Sequence, residues 1–257
     1  MKNKASLFLI LAILVSTFGC GGSQSGGRKG QATKPTRILT QEEKQKLATT
    51  TIYYIETFAA KDMTSCSDSE KTNLLDRSSR VFVRACKKVF DSCLMEGTCL
   101  VTIQNKLRML NVDGVVNNIH RFRDITNNEC KYGRGASADQ ITSYKSMCVD
   151  PFYSVAADLD IYNLGDVIYL PVVRGTVLPD GTTHDGYFIV RDNGGGIKGY
   201  GRFDFFTGFF TNQNSQNSFL KLKLNGLQTF PEYTVIVGDQ ADQIRKQRNF
   251  PLLPNPK

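Results

Sequence analysis

Tryptophan is absent from the 257 residues, and histidine occurs only at His120 and His184. His120 has no second His or Asp at metal-ligand spacing, and the seven cysteines contain no C-x-x-C pair, so a zinc site is not expected and no cofactor is called for. Nucleic-acid motifs are missing too. The 32 Lys and Arg against 24 Asp and Glu are scattered rather than gathered on one segment, which leaves a modest basic balance of +8 and no case for DNA or RNA. Apolar runs are short: Leu7–Val15 cannot span a bilayer. Strand and helix patterns do not alternate, which excludes a parallel α/β sheet.

What is present begins with an export signal. MKNKASLFLILAILVSTFGC carries Lys2 and Lys4, an apolar core and small or neutral residues before Cys20, so residues 1–19 read as a signal peptide whose removal lowers the charge from +8 to +6. Gly19-Cys20 resembles the end of a bacterial lipobox, although Thr17 stands where Leu or Val is usual. That resemblance implies a diacylglycerol on Cys20, a cell-envelope protein facing the periplasm and, with Gly21 next, an outer-membrane address. Cysteine arithmetic agrees, because setting Cys20 aside leaves Cys66, Cys86, Cys93, Cys99, Cys130 and Cys148, an even set suited to three bridges in an oxidising compartment. Fifteen connectivities are open, Cys130–Cys148 being a natural local one. Residues 20–44 read as the lipidated cysteine and a Gly/Ser/Gln-rich tether, whose first fifteen or so residues reach roughly 20 Å.

Order is expected over residues 45–245, with 246–257 as a Pro-rich tail. TTTIYYIETF, residues 49–58, reads as one strand from its β-branched and aromatic density. From Ser79 to Leu94 the positions Phe82, Cys86, Val89, Phe90, Cys93 and Leu94 fall at helical intervals, predicting a helix packed on the sheet. Glu96 follows in a Met-Glu-Gly turn, where a carboxylate orders the turn by accepting backbone N–H groups. LVTIQNKLRMLNVDG predicts two strands, with Asp113-Gly114 as a turn. YSVAADL, DVIYLPV, YFIVRD, RFDFF, FLKLKL and YTVIV then read as short strands of a mainly β, closed or nearly closed barrel in one folded unit.

The chemistry concentrates in YFIVRDNGGGIKGYGRFDFF, residues 187–206, where Asp192 and Asp204 bracket glycines and Lys198. Gly194, Gly195 and Gly196 permit positive φ or the close approach of a ligand. Two carboxylates beside a cation suit acid/base work on a polar substrate, while a tight hairpin with solvated Asp and Lys explains the same spacing.

DNGGGIKGYGRFDFFTG resembles the signature of the three-aspartate (3D) domain family, found in the C-terminal part of membrane-bound lytic murein transglycosylase A. Val155-Ala156-Ala157-Asp158 resembles its earlier aspartate segment, so all three aspartates are present: Asp158, Asp192 and Asp204. The resemblance implies a six-stranded double-psi β-barrel with one or two short helices. It also implies cleavage of the peptidoglycan MurNAc-GlcNAc strand with anhydro-sugar formation, Asp204 being general acid/base and Asp192 and Asp158 shaping the field, holding Lys198 or orienting sugar hydroxyls. Lys198, Gly195, Gly196 and His184 are the expected substrate contacts. A monomer is expected. A non-catalytic peptidoglycan-binding lipoprotein is the alternative, since the large extra domain of the full-length transglycosylase has no counterpart of that size here.

Overall fold

The structure, a computed structural model, describes residues 40–127, 130–136, 147–226 and 231–251. Cys20, the signal segment, the tether up to residue 39 and residues 252–257 of the tail lie outside the described residues. In chain order the elements are α1 (Gln41–Lys44), β1 (Thr51–Tyr53), β2 (Glu56–Phe58), α2 (Ala60–Thr64), β3 (Lys71–Leu75), β4 (Val81–Cys86), α3 (Lys87–Met95), β5 (Thr98–Ile103), β6 (Lys106–Val116) and β7 (Ile119–Asp124). Then follow β8 (Ser154–Ala156), β9 (Val167–Tyr169), β10 (Tyr187–Asp192), β11 (Asp204–Phe206), α4 (Ser218–Lys221), β12 (Thr234–Ile236) and α5 (Gly238–Gln247). The chain is mainly β with a few short helices, as expected.

The stretch predicted as one strand is two. β1 pairs in parallel with β11 and β2 in parallel with β5, so the chain changes sheet between Tyr53 and Glu56. The amides freed at this crossing find other acceptors: Tyr54 N–H donates to Glu96 Oε2 at 2.9 Å, and Ile55 N–H to the Gly208 carbonyl at 2.7 Å. A buried amide left without a partner costs about as much as a lost hydrogen bond, so Glu96 and Gly208 fix where the strand breaks.

Six strands form the first sheet in the order β1-β11-β8-β10-β9-β12. The pairs β1–β11 and β8–β10 are parallel; β11–β8, β10–β9 and β9–β12 are antiparallel. Its end strands β1 and β12 do not pair with each other, but an isolated bridge joins Lys46, ahead of β1, to Glu232, ahead of β12. Phe152, Phe188, Phe203, Phe205 and Phe219 fill its interior, with Phe152 and Phe219 edge-to-face at 4.9 Å. Truncating one such ring to alanine typically costs about 3–5 kcal/mol. The predicted strand FLKLKL is instead the short helix α4: Asn217 caps it by accepting the Phe219 N–H at 3.1 Å, and Phe219 enters the aromatic core while Lys221 stays outside.

β2-β5-β6-β7 make a second sheet and β3-β4 a hairpin beside it. The helix predicted from Ser79 to Leu94 occupies only its second half. VFVRAC is the strand β4, held against β3 in a five-residue register, and the helix starts at Lys87. Its helical spacing of apolar residues joins two elements that each bury one face, a coincidence that periodicity alone cannot split. The turn placed at Asp113-Gly114 lies instead at Gln104-Asn105, both with positive φ of 49° and 61°, while Asp113-Gly114 forms a bulge inside β6 where the register shifts between Val112 and Val115. Disulfides Cys66–Cys86, Cys93–Cys99 and Cys130–Cys148 pair all six expected cysteines. A small cluster of Ile55, Met109, Ile125, Val149 and Phe206 joins the two sheets, and the described residues form one compact unit.

Candidate active site

A cleft of about 640 Å³ opens between the two sheets. Tyr53, Ala156, Asp192, Asp204 and Phe206 come to it from the six-stranded sheet and Gly194, Gly195 and Ile197 from the loop after β10. Met95, Glu96, Thr98, Asn111, Asp113 and Arg123 come from the other side. Four carboxyl groups, those of Asp192, Asp204, Glu96 and Asp113, therefore line one space, each half-buried.

Parallel register places Asp204. Thr51 lies opposite it, and the Thr51 hydroxyl donates to Asp204 Oδ1 at 2.7 Å. Arg202 in turn donates to Thr51 Oγ at 3.1 Å, so a polar chain ends on one oxygen of the carboxyl. Oδ2 has no partner among the described residues. Burial raises the Asp204 pKa, against the opposing pull of the Thr51 bond and the Arg202 charge.

Asp192 ends β10, where a register shift after Val190 turns its side chain into the cleft. A Cβ on Gly135 would fall 2.3 Å from the Arg191 carbonyl and 3.0 Å from the Asp192 side chain, so only glycine lets this backbone lie so close. Walled in this way, Asp192 is pushed up to about 7, chiefly by burial, with the Asp204 charge adding and the Asn193 N–H, at 2.8 Å, opposing. The Tyr53 hydroxyl interacts with this carboxyl without reaching good hydrogen-bond geometry and has no partner among the described residues. Burial and the charges of Asp192 and Asp204 hold it protonated. Glu96 is raised to about 7 as well, by burial first and by the charges of Asp204 and Glu56, against the Tyr54 N–H.

Asp158 stands apart from this group. It is buried, and it accepts Lys198 Nζ at 2.8 Å, the Gly199 N–H at 2.9 Å and the Asp160 N–H at 3.2 Å. Burial alone would raise its pKa, but these donors together hold it below the ordinary carboxylate range. Asp158 and Lys198 thus clasp the base of the glycine loop rather than line the cleft, and Lys198 also reaches Asp160 at 2.9 Å.

The loop glycines differ from the expectation in one respect. Gly194, Gly195 and Gly196 do not have positive φ, whereas Gly199 and Gly201 do. A Cβ on Gly201 would fall 2.2 Å from the Lys46 carbonyl. Gly195 and Gly196 have no atom within 4 Å of a built Cβ, so their lack of side chains leaves space; Gly195 lines the cleft and Gly196 is exposed beside it.

His184 is buried away from the cleft lining. It accepts the Gly186 N–H on Nδ1 and therefore donates from Nε2 to the Phe152 carbonyl, both at 2.7 Å. Burial pushes its pKa down to about 4, and it stacks on Tyr153, over which Arg248 lies at 3.5 Å.

Residues 153–218, which hold all three aspartates, match the family model described as 3D domain, so the family resemblance holds over that segment. Among solved structures the chain is similar to a crystal structure of E. coli MltA with bound chitohexaose, at 12% identity and a TM-score of 0.46, covering 77% of this chain and 74% of that one. A membrane-bound lytic murein transglycosylase from Agrobacterium tumefaciens is similar at 12% identity and a TM-score of 0.41, covering 78% and 77%. The lytic transglycosylase LtgG of Burkholderia pseudomallei is similar at 12% identity and a TM-score of 0.34, covering 66% and 67%. No curated protein matches the sequence.

Proposed function

We propose that this chain, whose residues 153–218 carry the 3D domain, cleaves the MurNAc-GlcNAc strand of murein as a lytic transglycosylase, with Asp204 as the acid and then the base. The observation that carries the reading is the state of Asp204: one oxygen tied to Thr51, the other without a partner among the described residues, in a cleft shared with the carboxyls of Asp192, Glu96 and Asp113. Burial raises the pKa of that carboxyl, the direction a general acid requires. Asp204 protonates the glycosidic oxygen as the C1–O bond breaks, and positive charge develops on the sugar ring. The C6 hydroxyl of the same sugar attacks C1, its proton passes to the Asp204 carboxylate, and a 1,6-anhydro ring closes without water. Thr51 stabilises the carboxylate between these steps. Asp192 and Glu96, both near 7, supply negative charge to the cationic stage, and Tyr53 is placed to donate to Asp192 as it ionises. The Asp158–Lys198 clasp holds the loop that presents Gly195.

The finer architectural reading, a double-psi barrel, belongs to the same proposal. The Lys46–Glu232 bridge between the ends of the six-stranded sheet supports it. Envelope anchoring through a lipid on Cys20, with the catalytic unit spanning residues 45–245, is part of the same proposal.

The test is incubation of the purified full chain with sacculi and mass analysis of the products. Wild type should release 1,6-anhydro-muropeptides and carry a diacylglycerol adduct on Cys20. Asp204→Asn should lower release by roughly two to four orders of magnitude while still pulling down with cell wall. An Asp204→Asn chain as active as wild type would remove Asp204 from the mechanism, and a wild type that binds but releases nothing would leave a binding protein.

A further inference from the structure

The cleft wall opposite the aspartates carries the other sign. Arg77, from the turn between β3 and β4, and Arg123, from β7, both line it and both hold Asp113. Arg77 Nε lies 3.0 Å from Asp113 Oδ2, and Arg123 donates through Nη2 to Oδ1 at 2.9 Å and through Nε to Oδ2 at 3.3 Å. The bulge in β6 presents Asp113: Gly114, at φ 88°, absorbs the extra residue and turns this carboxylate between the two guanidiniums. Asp113 is 15% exposed, while Arg77 and Arg123 are 63% and 46% exposed. The terminal nitrogens of Arg77 make no hydrogen bond among the described residues.

One carboxylate thus serves two cations, and a third cation stands behind them. Arg121, on β7 two residues before Arg123, is 2% exposed; among the described residues its Nε and Nη1 have no partner, and its Nη2 donates to Ser79 Oγ at 3.3 Å, in the same turn as Arg77. No carboxylate pairs with it among the described residues. Exposed ion pairs contribute little to folding, and a buried unpaired guanidinium opposes it, so stability does not account for this arrangement. A guanidinium fork with free nitrogens, backed by uncompensated positive charge, is the geometry that binds a carboxylate.

Resting on the glycan reading above, we propose that Arg77 and Arg123 bind a carboxylate borne by a substituent of the glycan strand. A strand lying in the cleft turns one edge to Asp204 and the other to this wall. The wall then favours sugars bearing anionic substituents over neutral ones. Two kinds of carboxylate have the required chemistry, those of the peptide stem and, where no stem is attached, that of the lactyl ether.

Binding to the full chain carrying Asp204→Asn, which prevents turnover, tests this with three ligands: neutral chitohexaose, murein strands stripped of peptide by an amidase, and strands with their stems. Adding Arg77→Gln should weaken the stem-bearing strands roughly ten-fold, the loss expected for one charge-assisted hydrogen bond. The loss should shrink at high salt, and chitohexaose binding should not change. Arg123 still holds Asp113 in this variant, and unchanged chitohexaose binding certifies the fold. Lys87→Ala, on the outer face of α3, should change nothing. A loss confined to stem-bearing strands assigns the wall to the stem carboxylates, and an equal loss on stripped strands shows that it also takes the lactyl carboxylate that the amidase frees; both support the proposal. Equal weakening of chitohexaose, or no weakening of any ligand, overturns it and leaves the glycan reading standing. A parent chain that binds none of the three overturns both.

Discussion

Replacing Glu96 by glutamine separates the folding role of that residue from its charge. The amide oxygen can still accept the Tyr54 N–H, so the strand crossing between the sheets keeps its partner, while the ionisable proton is gone. Below pH 4.5 the wild-type carboxyl is protonated in the folded and unfolded chains alike, and the substitution should be nearly neutral. Between 4.5 and about 7 the unfolded chain releases this proton while the folded chain keeps it, so the folded state binds more protons and stability falls as pH rises. Above about 7 the whole penalty is present. At roughly 1.4 kcal/mol per pH unit the interval from 4.5 to about 7 corresponds to about 3 kcal/mol, which partial exposure to the open cleft reduces to about 2 kcal/mol.

His184 acts in the opposite direction. Its folded pKa of about 4 lies below the ordinary 6.5, so its share of stability grows as pH rises between those values. The pH dependence of wild type alone therefore mixes opposing contributions, and the difference between variant and wild type isolates Glu96. Urea unfolding with the disulfides intact should show Glu96→Gln matching wild type near pH 4.5 and exceeding it by about 2 kcal/mol at pH 8, a midpoint shift of about 1 M. A difference that stays constant across this range, or that favours wild type at pH 8, would refute the raised pKa and leave Glu96 as a plain acceptor for Tyr54.

Thr51→Val keeps the β-branched shape of β1 but removes the donor to Asp204 Oδ1; since that bond opposes the upward shift of Asp204, the alkaline limb of the pH–rate profile should move to higher pH. An unmoved limb separates Thr51 from the acid. Replacing Cys130 and Cys148 together by alanine opens a loop of sequence separation 18 and should lower stability by about 3 kcal/mol, read as a fall in the thermal midpoint. Because Tyr132 and Gly135 in that loop line the cleft, affinity for glycan should fall with it. A thermal midpoint equal to that of wild type contradicts this.

Local chemistry was the legible part of this chain. The Thr40 side chain accepts the Glu43 N–H and Glu43 returns a bond to the Thr40 amide, as the spacing of TQEE requires. The strands around Val155, Ile168 and Ile189 form at short apolar runs rich in Val and Ile, and the even set of cysteines pairs completely. The boundaries that failed are those set by partners distant in sequence. TTTIYYIETF carries no mark at Tyr54 to say that the chain leaves one sheet for another, because the amide released there is taken by Glu96, 42 residues on. FLKLKL alternates like a strand, but the pull of Phe219 into rings contributed by Phe152, Phe188 and Phe205 decides for a helix.

The site divides along the same line. Asp192 and Asp204 were found from their own neighbours, since a carboxylate at each end of a glycine-rich loop is a local pattern. Thr51, Tyr53, Arg77 and Arg123 were not, because only strand register brings Thr51 to Asp204 across 153 positions and only the β6 bulge gathers two arginines onto Asp113. Asp158 shows what a shared motif leaves undecided. The family resemblance groups it with the other two aspartates, but three donors hold its carboxyl below the ordinary pKa range while burial lifts Asp192 and Asp204 above it. A group that never holds a proton near neutrality cannot supply one. Within this set of three aspartates, Asp192 and Asp204 are therefore the two whose carboxyls the fold raises, and Asp158 secures the base of the loop between them.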